Sequence, residues 1–227
     1  MQTSPYQNKF NPGSSHSILA SWLRECAPGT TILDIGTASG TLGWRCQGQE
    51  FVFKGVEQVE AWAQIARPFY QEICVSSLEK APVEFLAGHQ VVLCADVLEH
   101  LADPETQLAR LVSLQPAGAI FLISVPNIAN LWVRFHLLSG HFDYAERGIL
   151  DRTHLRFFTR QTLLKMVESA GLQVERIIPS AIPLELAHPF FTQAAIGRLI
   201  HRLLAALTHV FPTILGYQFI LRAVKPV

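Results

Sequence analysis

Charge of either sign is scarce and evenly matched. There are 18 Lys plus Arg against 18 Asp plus Glu, and charged residues make up only 16% of the chain. No net field therefore favours nucleic acid or an acidic partner. Cysteine is sparse too: Cys26, Cys46, Cys74 and Cys94 form no C-x-x-C pair, so no metal site is expected. Cys74 and Cys94 sit inside apolar runs and read as small buried hydrophobes. Nothing suggests disulfides, which fits a reducing cytoplasm. The polar stretch from Met1 to Pro12 has no apolar signal core, and no run is apolar for long enough to span a membrane. A dinucleotide fingerprint is also missing. G-x-G-x-x-G would need glycines at positions 36, 38 and 41, where the chain has Gly36, Ala38 and Thr41. That counts against an NAD(P)-dependent oxidoreductase.

What the chain does have is apolar content: 49% of 227 residues, enough for a sizeable core in one large or two small domains. Ser14 to Cys26 places Ile18, Leu19, Trp22, Leu23 and Cys26 on one helical face. Pro28-Gly29 breaks the chain before a strand, Thr31 to Ile35. Strand-like runs then alternate with helical ones. Phe51 to Glu57 is a strand, Val59 to Tyr70 a helix with Pro68 near its end, and Ile73 to Val75 a short strand. Val91 to Ala95 is apolar throughout, as in a strand covered on both faces. Pro104 to Leu114 is a helix with Asp103 as cap, and Ala119 to Val125 a strand. Arg160 to Ala170 is a helix stopped by Gly171. Leu172 to Ile178 and Tyr217 to Val224 close the pattern. The alternation predicts an open, doubly wound α/β sheet, in which ligands sit beyond the carboxyl ends of the strands.

Three features fall at that rim. The first is the glycine turn Gly36-Thr37-Ala38-Ser39-Gly40. The second is Glu57, closing the next strand. The third is the Ala95-Asp96 exit. Glycine lets a ligand touch the backbone, and a helix start presents free N–H groups to anions. A carboxylate accepts two ribose hydroxyls well. The same turn would equally serve as a tight strand-to-helix joint, and Glu57 as a solvated acid at a helix start.

Thr31-Ile32-Leu33-Asp34-Ile35-Gly36-Thr37-Ala38-Ser39-Gly40 resembles the first motif of the class I S-adenosylmethionine-dependent methyltransferases, with Ala38 in the middle glycine slot. The resemblance covers nearly the whole chain. It implies a Rossmann-like seven-stranded sheet, mostly parallel with the last strand antiparallel, and S-adenosylmethionine as cofactor with S-adenosylhomocysteine as product. It implies that Asp34, Gly36, Thr37, Ala38 and Gly40 shape the turn under the cofactor's methionine portion, and that Glu57 holds its ribose. Ser77 and Leu78 would flank the adenine, with Ser77 where the family often has aspartate. Ala95 and Asp96 would border the cofactor. Ala95 to Leu101 resembles the segment after the fourth strand in the small-molecule branch (methyltransferase type 11/23-like). Asp151 to Thr159 resembles a segment of a subgroup often encoded with sugar and cell-envelope enzymes. His100 and His154 are the candidate bases. Asn127, Tyr144 and Arg156, with Tyr6 and His16 from the N-terminus, are candidate acceptor-binding residues. His100 could equally cap or pack, and Asp151 and Arg152 could merely pin the loop as an ion pair.

The expected organisation is one domain over 1–227. Within it are an N-terminal helical cap (1–29), an acceptor-site loop region rich in aromatics (126–159) and a helical insertion (179–216) between the last two strands. In the insertion Ala195, Ile196, Leu199, Ile200, Leu203, Leu204, Leu207 and Phe211 form an apolar stripe, with Arg198, His201 and Arg202 off it. That stripe reads as plain packing, as a lid, or as peripheral membrane contact through 193–211. The function expected is methyl transfer, O-methylation first, to a small-molecule, sugar or lipid-linked acceptor in the cytoplasm, with possible membrane association. No nucleic-acid partner is expected. The rival is a methyltransferase-like scaffold without catalysis.

Overall fold

The computed structural model describes residues 13–184 and 190–227. Its centre is a seven-stranded sheet with the order β3-β2-β1-β4-β5-β7-β6. The strands are β1 (Thr31–Ile35), β2 (Val52–Glu57), β3 (Glu72–Val75), β4 (Val91–Ala95), β5 (Ile120–Pro126), β6 (Gln173–Ser180) and β7 (Gln218–Val224). The first five are parallel, and β7 runs antiparallel to both neighbours, as the family resemblance implies. Strand order reverses at β1. The chain winds outward through β2 and β3, then returns to add β4 on the other side. The C-terminal ends of β1 and β4 therefore diverge into a crevice, the place where such sheets take ligands.

Alternation along the central strands explains the two layers. Leu33 and Ile35 of β1, Val92 and Cys94 of β4, and Phe121, Ile123 and Val125 of β5 face one side. There they meet α4 (Val83–Leu86), α5 (Pro104–Leu114) and α7 (Arg160–Ser169). Ile32, Val91, Leu93 and Leu122 face the other side. They meet α1 (Ser15–Leu23), α2 (Thr41–Arg45) and α3 (Glu60–Ala66). With both faces covered, a strand must be apolar throughout, hence the unbroken run in β4. Each Leu, Ile or Phe buried this way stabilises the fold by about 1.5–3 kcal/mol. Caps fix the helix starts. Ser14 Oγ accepts from Ser17 N before α1, Asp103 from Thr106 N before α5, and Thr159 and Thr162 cap each other at α7.

Two expectations change. The helix predicted over Val59 to Tyr70 ends at Ala66 and continues as one 3-10 turn, Arg67–Phe69. Pro68 has no N–H to donate, which stops the regular ladder. The segment 126–159, expected to be irregular, contains α6 (Leu131–Leu138), with Asn130 Oδ1 accepting from Trp132 N at its start. Among the described residues, three helices lie between β6 and β7: Phe190–Gln193, Ala195–Val210 and Pro212–Leu215.

Candidate active site

The turn leaving β1 is built from backbone that side chains resist. Gly36 has φ +71° and Gly40 φ +79°. A Cβ on Gly36 would lie 2.8 Å from Val97 Cγ2, and one on Gly40 2.9 Å from the Ala66 backbone. Ala38 sits at φ +45° despite its methyl, and Asp96, at the end of β4, at φ +57°. No other non-glycine among the described residues has positive φ. Such positions cost on the order of 1–3 kcal/mol each and cluster where function requires them. Both strained residues stand on the same rim of the sheet.

Glu57 at the end of β2 ties this rim together. Its Oε2 accepts from Ala38 N and its Oε1 from Val59 N, each at 2.8 Å. The residue is buried, and burial pushes its carboxyl above the ordinary range, while bonds from Val59, Ala38 and Gln58 oppose the shift. Asp34 lies deeper. Tyr70 Oη donates to its Oδ2 at 2.5 Å. Burial pushes Asp34 up to about 7, against the Tyr70 bond and with help from the Glu57 charge. Asp34 therefore underpins the turn from within the core and does not face the crevice. Thr37 is buried, and its Cγ2 fills the space in which a Cβ on Gly55 would collide at 2.3 Å.

The third strand's exit forms one wall. Ser77 precedes a 3-10 turn, Leu78–Lys80, without capping it by its side chain. Arg110 from α5 holds that turn: Nη1 donates to Leu78 O and Glu79 O, and Nη2 to Ala81 O, at 3.0–3.3 Å. On the opposite side, Asp96 Oδ1 accepts from Ser124 Oγ at 2.6 Å and Gln218 Nε2 at 2.8 Å. Ala95 is half-buried beside it.

Beyond Asp96 the chain turns through Leu98–His100 and meets the segment 153–156. The Glu99 carbonyl accepts from Leu155 N and Arg156 N. Thr153 sets His100, whose Nδ1 lies 3.2 Å from Thr153 O and 3.1 Å from its Oγ1. The His100 and His154 rings meet edge to face at 4.9 Å. His154 is buried, and its Nδ1 lies 3.0 Å from Ile149 O. A carbonyl only accepts, so that nitrogen carries the proton and Nε2 keeps a lone pair. Burial, opposed by the Ile149 bond, holds the His154 pKa below the ordinary histidine value. Ligand atoms of Glu99, His100 and His154 all lie within 4.8 Å of one another. Two imidazoles and a carboxylate can pass a proton or hold a borderline divalent cation. The expectation of no metal site came from cysteine spacing, which does not report on a trio drawn from two distant segments.

Several expected acceptor residues behave differently. Asn127 is fully buried: Nδ2 donates to Thr213 O and Gly216 O, and Oδ1 accepts from Ala129 N. It secures the insertion and does not offer its amide to an acceptor. The exposed Arg156 donates to Ala102 O. Arg152 pairs with Glu146, whereas Asp151 accepts from Thr153 N and Oγ1, so the anticipated Asp151–Arg152 pair does not form. Tyr144 is exposed, edge-on to Phe142 at 5.5 Å. His16 lies half-buried in the first turn of α1. Tyr6 lies outside the described residues. Tyr70, Arg110, Ser124 and Gln218 escaped the sequence analysis, having no local pattern that marks them as partners of the rim.

Comparison with known proteins bears on the fold and the family. A family model described as a methyltransferase domain matches residues 13–177. The ubiquinone biosynthesis O-methyltransferase of Idiomarina loihiensis is 27% identical over 157 residues, 64% of this chain, and the chain spans only 62% of that relative's length. The enzyme of the same name from Pseudomonas paraeruginosa is 26% identical over 76% of this chain and 78% of its own. Among solved structures, a SAM-dependent methyltransferase from Archaeoglobus fulgidus shares the fold with a TM-score of 0.60 at 17% identity, covering 92% of this chain and 94% of that one. Magnesium protoporphyrin IX methyltransferase from Synechocystis with bound SAH does so at 0.59 and 15%, covering 94% and 82%. With the family model matching well over half of its length, the chain belongs to the methyltransferase domain family.

Proposed function

We propose that the chain moves a methyl group from S-adenosylmethionine to an oxygen of a small-molecule acceptor. The supporting observation is the buried Glu57 carboxylate bonded to the backbone of the glycine turn. Its oxygens take N–H groups from Ala38 and Val59, with a further backbone bond from Gln58, which leaves about one of the carboxylate's four lone-pair sites for a ribose hydroxyl. Gly36 is exposed beside it, where a side chain would strike Val97. The turn thus suits close approach of a ligand to the backbone. In this reading Gly36, Thr37, Ala38 and Gly40 hold the methionine portion, Asp34 stiffens the turn from below, Ser77 and Leu78 flank the adenine, and Ala95 and Asp96 border the cofactor.

The cofactor supplies, when bound, a methyl group on a positively charged sulfur. The chain's own work is alignment, exclusion of water and proton acceptance. His154 Nε2 is the site for that proton, because Nδ1 is committed to Ile149 O and burial keeps the ring neutral near pH 7. His100 packs against it, and Tyr144, Arg156 and His16 stand toward the acceptor side. The relatives' name couples O-methylation with ubiquinone biosynthesis, which supports an oxygen on a lipid-linked or phenolic acceptor. Residence in the cytoplasm with membrane contact through 193–211 belongs to the same reading. Among the described residues no helix is long and apolar enough to cross a membrane.

A second reading, a non-catalytic scaffold, draws on Ala38 in the middle glycine slot and Ser77 in place of aspartate. Calorimetry separates the two. The enzyme reading expects S-adenosylmethionine to bind in the low micromolar range, about −8 kcal/mol. No heat and no thermal shift at millimolar cofactor would establish the scaffold.

A further inference from the structure

The long insertion helix, Ala195–Val210, leaves its most apolar side uncovered. Ile196, Leu199, Leu203 and Val210 are 62%, 55%, 56% and 66% exposed, and Ile200 and Leu207 are exposed beside them. At about 100° of rotation per residue these six side chains fall within an arc of roughly 100°. The surface that packs on the body is a different one. Thr208 is 1% exposed and Leu204 is half-buried, and both lie to one side of the arc. Arg202 and His209, both exposed, lie on the other side. Core packing therefore does not account for the stripe.

A second apolar surface is tied to the first. In α6, Leu131, Phe135 and Leu138 share one face and are exposed, Leu138 by 83%, with Trp132 at the flank. Only Val133 of that helix is buried. The start of α6 is sewn to the end of the insertion. Asn130 Nδ2 donates to Gly216 O and Leu215 O, and Asn127 Nδ2 to Gly216 O and Thr213 O. Exposed apolar surface of this extent marks an interaction site.

Charge identifies the occupant. No Asp or Glu occurs in 106–142 or in 186–227, whereas Arg134, His136, His141, Arg202 and His209 do. A second copy docked face to face would set the Arg134 and Arg202 cations against their own copies, with no carboxylate in either segment to pair them. An anionic bilayer offers the missing charge together with an apolar layer of suitable depth. Trp132 and the phenylalanines suit the headgroup boundary. We infer that the insertion helix and α6 together form a docking surface for an anionic lipid bilayer. The surface delivers the acceptor from the membrane to the rim of the sheet. Only this delivery role rests on the methyltransferase reading; the docking rests on the exposed side chains.

The test is co-flotation of the full chain, without cofactor, with vesicles of phosphatidylcholine alone or containing about 30% phosphatidylglycerol. The chain floats with the anionic vesicles. The double variant Leu199→Glu/Leu203→Glu, altered at exposed positions, binds them at least about tenfold less. Its melting temperature and cofactor affinity stay at the wild-type values, so failed docking and failed cofactor binding read out separately. Equal binding to neutral vesicles, or no binding to either, overturns the inference. So does a dimer in solution that the double variant dissociates, since a second copy would then be the occupant.

Discussion

Replacing Glu57 by glutamine separates binding from scaffolding. The charged carboxylate takes Ala38 N and Val59 N at 2.8 Å, and hydrogen bonds to a charged group are worth about 1.5–3 kcal/mol each. Burial works against them. The carboxyl sits above its ordinary range, so desolvation outweighs the backbone bonds in the ligand-free protein. A neutral isostere removes the larger penalty along with the smaller gain, and its carbonyl still accepts one N–H. Folding stability of Glu57→Gln should therefore stay within about 1 kcal/mol of wild type. Cofactor affinity behaves otherwise. A ribose hydroxyl donates to the carboxylate, and an amide nitrogen facing it cannot accept. The expected loss is about 1.5–3 kcal/mol, or roughly ten- to 150-fold in Kd. Calorimetry with S-adenosylmethionine gives the second quantity and urea unfolding the first. Affinity within about twofold of wild type would remove Glu57 from the site. Stability and affinity collapsing together would mean that the residue merely holds the turn.

Asp34 makes stability depend on pH. Its folded pKa, about 7, lies above the ordinary 3.8, so the folded state binds the proton more tightly. That contribution is complete below about pH 4 and is lost as pH rises through about 7, by on the order of 4 kcal/mol at most. Asp34→Asn should flatten the urea-unfolding profile across that window, and an unchanged slope would place the proton elsewhere. His154→Ala should lower kcat by about 10²–10⁴ and leave cofactor Kd untouched. In wild type kcat should rise with pH through a limb below the ordinary histidine value of 6.5, because burial depresses the pKa; an identical limb in the variant would refute the role. Arg110→Ala frees three carbonyls in the turn proposed to flank the adenine. It should weaken cofactor binding by up to about tenfold, and Arg110→Lys should restore it only in part, because an ammonium lacks the fork. Unchanged cofactor titrations would show that the wall stands without it.

The sheet was legible because burial on both faces leaves a plain signature. Val91 to Ala95 has no polar residue, and β1 has only Asp34 and the strand-opening Thr31. The turn was legible because Gly36 and Gly40 occupy backbone that a Cβ would jam. α6 was not. Its apolar residues point outward and only Val133 is buried, so its pattern does not report a core face. Asn127 is a candidate acceptor-binding residue in the sequence, and nothing nearby in sequence announces the carbonyls of Thr213 and Gly216. The same holds for Tyr70 under Asp34, and for the meeting of His100 with His154. Local pattern reports which face a residue takes; it does not report a partner brought in by chain return.

Antiparallel β7 is the last strand in chain order, yet it lies between β5 and β6. Until it emerges from the ribosome, β5 and β6 have no common partner, and Phe121 and Ile123 are paired with β4 alone. Asp96 meanwhile lacks Gln218, one of the two side chains that steady its strained backbone. A nascent chain ending at Gly216 thus exposes an unpaired sheet edge, the kind of surface that recruits chaperones or aggregates. Completion of the rim is in this way coupled to the arrival of β7, and products truncated before that strand stay conspicuous to quality control.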